Sequence, residues 1–275
     1  MAPGRDDVGD AALLDIAREV ALEAARLVRD RRAGRVTVAE TKSSPVDVVT
    51  EADRAAEELI RRRLAVLRPD DGFLGEESGA GASTSGVTWV VDPIDGTVNF
   101  LYDLPQYAVS VAAERGGVVV AGVVVNVASA EVFAAVRGGG ATLDGRRLRV
   151  GDGAGLEKTL VATGFNYDAV VRARQADAVA RLLRTVRDVR RLGSAALDLC
   201  AVAAGRVDAY VEEGLHPWDM AAGGLVATEA GARLEGHPGR SGRTCVVCAP
   251  AASFDAFLAL TEACGFLEET PVEPG

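Results

Sequence analysis

Between residues 88 and 150 the chain reads mostly as strand. Apolar runs at 89–91, 108–113, 118–127 and 131–136 are punctuated by the turn pairs Gly116-Gly117 and Asp144-Gly145. Runs this close in sequence pair antiparallel, so the stretch predicts a meander. A sheet of that size must cover its apolar face with another layer. The preceding segments supply helices. Leu13, Ile16, Val20, Ala24, Leu27 and Val28 recur at helical spacing. After a loop through Lys42, Ser43, Ser44 and Pro45 and an extended run at 46–49, a second helix starts near Thr50, a good N-cap. It carries Ala52, Ala56, Leu59, Ile60, Leu64 and Leu67 on one side and stops before Pro69. Residues 79–86, GAGASTSG, read as a polar loop.

From Asp168 onward helices alternate with short strands. We expect a helix to Asp188, a strand at 189–191 and a helix from Ser194 to Gly205. A strand at 207–212, a helix from Pro217 to Gly231, a strand at 244–247 and a helix from about Ser253 follow. Residues 1–150 therefore form an α+β half and residues 151–275 an α/β half. No internal repeat is visible.

The 275 residues are 48% hydrophobic and 25% charged, enough apolar content for a continuous core. A formal net charge of -10 disfavours nucleic acid and anionic lipid, which need Lys and Arg to neutralise phosphates. A small anionic substrate would need local positive charge, which metal cations supply. No run of about 18 apolar residues occurs, and the amphipathic first helix is unlike a signal peptide, so a cytoplasmic, non-membrane protein is expected. The four cysteines, Cys200, Cys245, Cys248 and Cys264, show no disulfide framework spacing. Cys245 and Cys248 form a C-x-x-C within a strand, whose alternation sends residues three apart to opposite faces.

The chemistry centres on Asp92-Pro93-Ile94-Asp95-Gly96-Thr97, which puts two carboxylates at the end of a buried strand. Like charges on one short turn repel unless a cation lies between them, and magnesium suits carboxylate and carbonyl oxygen. Gly96 and Thr97 open a helical turn whose amides suit phosphate. Taken alone, Asp92 and Asp95 read more readily as turn-capping residues than as metal ligands. Further acids widen the choice. Glu76 follows the apolar pair Phe73-Leu74, and Asp219 lies in the first turn of the helix opened by Pro217, although a solvated loop charge and a helix-dipole partner would explain them too. Asp53 stands three residues after Thr50, as a capping-box partner would. It could instead accept a hydrogen bond from Thr97, whose hydroxyl would orient an attacking water.

In chain order these segments resemble the inositol monophosphatase family of magnesium-dependent, lithium-sensitive phosphatases. The resemblance runs from Lys42-Ser43-Ser44-Pro45-Val46-Asp47-Val48-Val49-Thr50-Glu51-Ala52-Asp53 through Gly75-Glu76-Glu77-Ser78 and the segment from Asp92 to Phe100. It continues in Gly193-Ser194-Ala195-Ala196 and in the stretch from Val207 to Glu212, and ends at Trp218-Asp219-Met220-Ala221-Ala222-Gly223. It implies a layered αβαβα sandwich, a homodimer and two or three Mg2+ per site. By that resemblance Glu76, Asp92, the carbonyl of Ile94, Asp95 and Asp219 hold metal. Thr97 and Asp53, with Glu76, serve catalysis, and the amides of Gly96 and Thr97 hold phosphate. Gly193, Ser194, Ala195 and Glu212 face the alcohol. The implied reaction is direct attack of water on a small phosphate monoester, inositol monophosphate first, without a phosphoenzyme. Histidinol phosphate and fructose 1,6-bisphosphate are the alternative substrates, and a sugar-phosphate- or protein-binding regulator is the non-enzymatic alternative. The short, Gly-rich stretch between Glu76 and Asp92 and the His216-Pro217 pair depart modestly from the family pattern.

Cys200 and Arg206 also form a C-x5-R, the spacing of cysteine-dependent phosphatases. The intervening residues read as a helix tail, which would pack Cys200 inside a helix instead of at a helix N-terminus.

Overall fold

A computed structural model of the chain describes residues 8–33, 38–41, 48–153 and 155–268. The expected loop at Lys42 to Pro45, with Val46 and Asp47, lies outside the described residues. The chain begins with α1 (Asp10–Arg32), the antiparallel pair β1 (Val38–Thr41) and β2 (Val48–Thr50), and α2 (Glu51–Leu67). Next come β3 (Gly72–Gly75), β4 (Gly79–Gly81), β5 (Val87–Asp95) and the short α3 (Thr97–Tyr102). β6 (Ala108–Arg115), β7 (Val118–Asn126), β8 (Val132–Val136), β9 (Gly140–Leu143) and β10 (Arg146–Arg147) complete the meander. The remainder alternates β11 (Leu160–Thr163), α4 (Ala169–Leu182), β12 (Asp188–Arg190), α5 (Ala195–Ala203) and β13 (Ala209–Glu213). It ends with α6 (Pro217–Glu229), β14 (Ala232–Pro238), β15 (Thr244–Pro250) and α7 (Phe254–Cys264).

Two sheets result. The first has eight strands in the order β10-β9-β8-β7-β6-β5-β3-β4, the second five in the order β12-β11-β13-β15-β14. Alternating side chains give each sheet two apolar faces and hence four cores. Leu13, Val20, Ile60 and Leu64 of α1 and α2 pack on Trp89, Val91, Val111 and Val123 of the first sheet. Its other face, with Val90, Ala112, Val124 and Phe133, meets Cys200, Ala222 and Val226 of α5 and α6. Those helices turn Leu199, Val202 and Ala227 to Tyr210, Val246 and Cys248 of the second sheet. The far side of that sheet holds Leu182, Phe254 and Phe257 of α4 and α7 against Val161, Val211 and Val247. The stacking is the expected αβαβα sandwich. A buried Val, Leu or Phe side chain contributes about 1.5–3 kcal/mol, so four filled interfaces hold the strand ends rigidly.

Several elements differ from expectation. The loop at 79–86 contains β4, which pairs antiparallel with β3, and β3 extends the antiparallel meander by pairing in parallel with its edge strand β5. The helix expected to reach Asp188 ends at Leu182, because the chain must turn before Asp188 to enter the sheet beside β11. β9, β11 and β14 were not anticipated. Cys245 and Cys248 lie on opposite faces of β15, in different cores, and all four cysteines are free thiols. Among the described residues no helix is long and apolar enough to cross a membrane.

Candidate active site

The C-terminal ends of parallel strands gather at one place in the fold, the usual location of ligand sites in α/β sheets. β3 and β5 end there in the first sheet, β11, β12 and β13 in the second. Between these ends lies a cavity of about 910 Å³. Its walls include Glu76, Asp92, Ile94, Asp95, Gly96, Thr97, Gly193, Ser194, Ala195, Glu212 and Asp219, which is every candidate residue except Asp53.

β5 places the central acids. Asp92 pairs with Ser110 and Asp95 with Ala108, so three steps on β5 oppose two on β6. This bulge accommodates Pro93, which has no N–H for the ladder. Asp92 Oδ1 accepts from the Ile94 amide at 3.0 Å. Asp95 Oδ2 accepts from Ser194 Oγ at 2.6 Å and the Ala196 amide at 2.7 Å, tying β5 to the start of α5. Ser194, expected to face substrate, therefore spends its hydroxyl on Asp95. Asp219, in the first turn of α6, accepts from the His216 amide at 2.7 Å.

These acids raise one another's pKa values. Burial, then the charges of Glu76, Asp95 and Asp219, push Asp92 well above the carboxylate range. Burial and the charge of Asp95 do the same to Asp219. Burial, only partly offset by the Ser194 and Ala196 hydrogen bonds, raises Asp95 to about 6. Among the described residues no three His, Cys, Asp or Glu side chains already close into a ligand shell. The donor set nevertheless fits a hard dication: mutually repelling carboxylates with the Ile94 carbonyl beside them, all oxygen, on one cavity wall.

Asp53 lies behind this wall. Its Oδ1 accepts from Thr97 Oγ1 at 3.0 Å, the contact suggested by the sequence, while Thr97 Oγ1 is also 3.0 Å from the Ile94 carbonyl. The capping-box role holds as well. Asp53 Oδ2 accepts from the Thr50 amide at 2.9 Å and from the Thr50 hydroxyl. Burial raises Asp53 to about 6 against these hydrogen bonds. Gly96 bends the chain into α3 with φ of 96°, and a Cβ there would stand 2.8 Å from the Gln106 carbonyl oxygen, so no other residue fits.

On the opposite wall Glu212 accepts from the Tyr210 hydroxyl at 2.7 Å, and burial raises its pKa to about 7. Gly164, at the end of β11, makes room for it: a Cβ at Gly164 would lie 1.9 Å from Glu212 Oε2. Sequence reasoning missed this segment. Phe165, Asn166, Tyr167, Asp168, Arg172, Arg191, His216, Trp218 and Arg243 also line the cavity, and the His216 and Trp218 rings stack at 4.8 Å. The glycine directly after a short apolar run was the signal available for the end of β11. Cys200 is fully buried within α5, which pushes its thiol up, and Arg206 pairs with Glu131, so the two form no phosphate loop.

The chain is similar to known proteins along most of its length. The model of the inositol monophosphatase family matches residues 10–263. Inositol-1-monophosphatase SuhB of Mycobacterium tuberculosis is 46% identical over 288 residues, 97% of this chain and 99% of the relative. Nus factor SuhB of Escherichia coli is 42% identical over 221 residues, 80% of this chain and 83% of the relative. Among solved structures, Mycobacterium tuberculosis SuhB matches with a TM-score of 0.81 at 44% identity, over 95% of this chain and all of that one. SaIMPase-II bound to inositol monophosphate matches with a TM-score of 0.73 at 25% identity, over 92% and 98%. Because the family model spans nearly the whole chain and a relative at almost half identity aligns almost end to end, this chain belongs to the inositol monophosphatase family of metal-dependent phosphatases.

Proposed function

We propose that this chain hydrolyses inositol monophosphate to inositol and phosphate, with magnesium held by Glu76, Asp92, the Ile94 carbonyl, Asp95 and Asp219. The observation that carries the reading is the Thr97–Asp53 pair set directly behind a wall of mutually repelling carboxylates. Bound magnesium would offset the negative charge of the phosphate and of the departing alkoxide.

The chain's own residues have distinct tasks. Asp53, held by the Thr50 amide, accepts the hydrogen bond that the Thr97 hydroxyl donates. A Thr97 lone pair is then available to accept from a water and hold its oxygen towards phosphorus. That oxygen bonds to phosphorus as the bond to the ester oxygen breaks; the water keeps one proton on the new phosphate and releases the other to solvent, from which the leaving alcohol takes one, so the protons balance. The Gly96 and Thr97 amides hold the phosphate. Gly193, Ala195 and Glu212 contact the alcohol, and Ser194 acts through Asp95.

In this scheme residues 1–150 carry most metal ligands, and residues 151–275 contribute Asp219 and the alcohol-binding wall. A homodimer accords with the family reading. Phosphate release from inositol 1-phosphate, histidinol phosphate and adenosine 3',5'-bisphosphate at one magnesium concentration tests the proposal. The highest kcat/KM is expected for inositol 1-phosphate. Another preferred ester would overturn the substrate assignment. No release from any ester would favour the second reading, a binding role, which the Nus factor name of the Escherichia coli relative brings forward.

A further inference from the structure

Most oxygen donors of the acidic wall belong to well-anchored elements. Asp92, the Ile94 carbonyl and Asp95 lie on β5, in the interior of the eight-stranded sheet, and Asp219 opens α6. Glu76 does not share that support. It sits in the turn from β3 to β4, where Gly75 pairs with Gly79, and β4 is an exposed edge strand of sequence Gly-Ala-Gly. Such an edge holds its turn weakly, because glycine loses the most freedom on ordering and brings no side chain to pack.

The backbone around Glu76 is bracketed from behind instead. Its own amide donates to the Val91 carbonyl at 3.3 Å, and the next amide, that of Glu77, donates to Glu57 Oε2 at 2.8 Å. Glu57 is only 3% exposed and shares α2 with the core residues Ala56, Ile60 and Leu64. A carboxylate is rarely buried unless a donor meets it there. Gly75 lets this one come close, since a Cβ at that position would lie 2.5 Å from Glu57 Oε2.

Glu57 follows Asp53 by four residues, about one helical turn, so both carboxylates leave the same face of α2. Asp53 reaches Thr97 at the start of α3, and Glu57 reaches the turn that carries Glu76. One helix therefore grips both sides of the acidic wall.

We propose that Glu57 is a positioning residue for metal binding: by holding the Glu77 amide it fixes the turn that aims Glu76 at the cation. This rests on the assignment of Glu76 as a magnesium ligand and adds to it a residue that does not itself line the cavity. Losing a partner that orients a metal ligand costs roughly 10- to 100-fold in metal affinity.

Calorimetric titration of magnesium into the metal-free protein separates reach from charge. E57D keeps the charge but is a methylene too short for the Glu77 amide, whereas E57Q keeps the reach with a neutral oxygen acceptor. The magnesium Kd should rise about tenfold or more in E57D and no more than about threefold in E57Q. A smaller rise in E57D, or a larger one in E57Q, overturns the proposal. A lower Tm of E57D in chelator without that change in Kd would assign Glu57 to stability alone. E76Q controls for the underlying reading. If it leaves the magnesium Kd unchanged, Glu76 is no ligand and the metal assignment falls, taking the role of Glu57 with it. If E76Q weakens binding while E57D does not, only the role of Glu57 falls.

Discussion

Thr97 Oγ1 stands 3.0 Å from Asp53 Oδ1, across a gap of 44 residues in sequence. The hydroxyl has one hydrogen bond to donate, and in the proposed reaction donating it to Asp53 is what turns a lone pair towards the attacking water. Thr97→Ala and Asp53→Asn should each lower kcat by about a hundredfold, within the usual range for a positioned proton-handling group. The double variant should lose little more than either single one, because both remove the same relay. Steady-state kinetics on the four proteins checks this, and independent, multiplying losses would separate the two residues.

Magnesium and pH should be linked through Asp92 and Asp219. Both have folded pKa values raised well above the ordinary 3.8. Without metal, the stability they contribute is complete below about pH 4 and is lost as pH rises through the raised values. Magnesium favours the ionised carboxylates, so the Tm increase that it produces should grow from pH 5 to pH 8. With magnesium about a hundredfold above its Kd, the increase at pH 8 should be on the order of 5–10 °C. Asp92→Asn should raise the Tm of the metal-free protein and shrink the magnesium effect. Thermal melts with magnesium and with chelator supply the comparison, and an effect independent of pH would count against these ligands.

Gly164 is expected to govern how the alcohol is bound. A methyl group there would overlap the Glu212 carboxylate, which must then swing away from Tyr210. Gly164→Ala should raise KM for inositol 1-phosphate by tenfold or more while kcat changes less than threefold. Equal effects on kcat and KM would place Glu212 in the chemical step.

Asp198 is buried, and its Oδ1 has no hydrogen-bond partner. Burial, then the charges of Glu212 and Asp95, raise its pKa well above 3.8. Its favourable contribution is therefore lost as pH rises above about 4, and Asp198→Asn removes that dependence. The stability of the variant relative to wild type should increase from pH 5 to pH 8. Parallel denaturant-midpoint curves would contradict this.

Cys200→Ser should keep activity within twofold of wild type, since the thiol is packed among Ala196, Ala203 and Val226, far from the role its spacing with Arg206 suggests. A loss of turnover above tenfold in a folded variant would revive a thiol nucleophile.

Local chemistry made much of this legible in advance. Thr50, Ser194 and Pro217 start their helices where cap chemistry places them. The alternation that separates Cys245 from Cys248 is equally a property of one strand. The misses depend on distant partners. β4 is Gly-Ala-Gly and becomes a strand only by pairing with β3, and β11 is four residues that acquire their order from β12 and β13 on either side. β14, at a sheet edge, has mixed exposure and includes Gly236 and Pro238, so its apolar period is faint. The 164–168 segment and Arg243 belong to the same class, because their place in the cavity follows from sheet order.

The bulge in β5 has a bearing on what changes the family motif can tolerate. In an unbroken strand, residues three apart face opposite ways, yet Asp92 pairs with Ser110 and Asp95 with Ala108 on one side of the sheet, while Ile94 points into the α1–α2 core. Deleting one residue between the two acids would restore a regular ladder with both still on one face but remove the bulge that seats Pro93, whereas keeping the spacing and flattening the bulge would turn one carboxylate into hydrocarbon. Two acids three residues apart thus serve one face only because the strand carries a bulge between them, which makes that backbone irregularity as much a requirement of the site as its side chains.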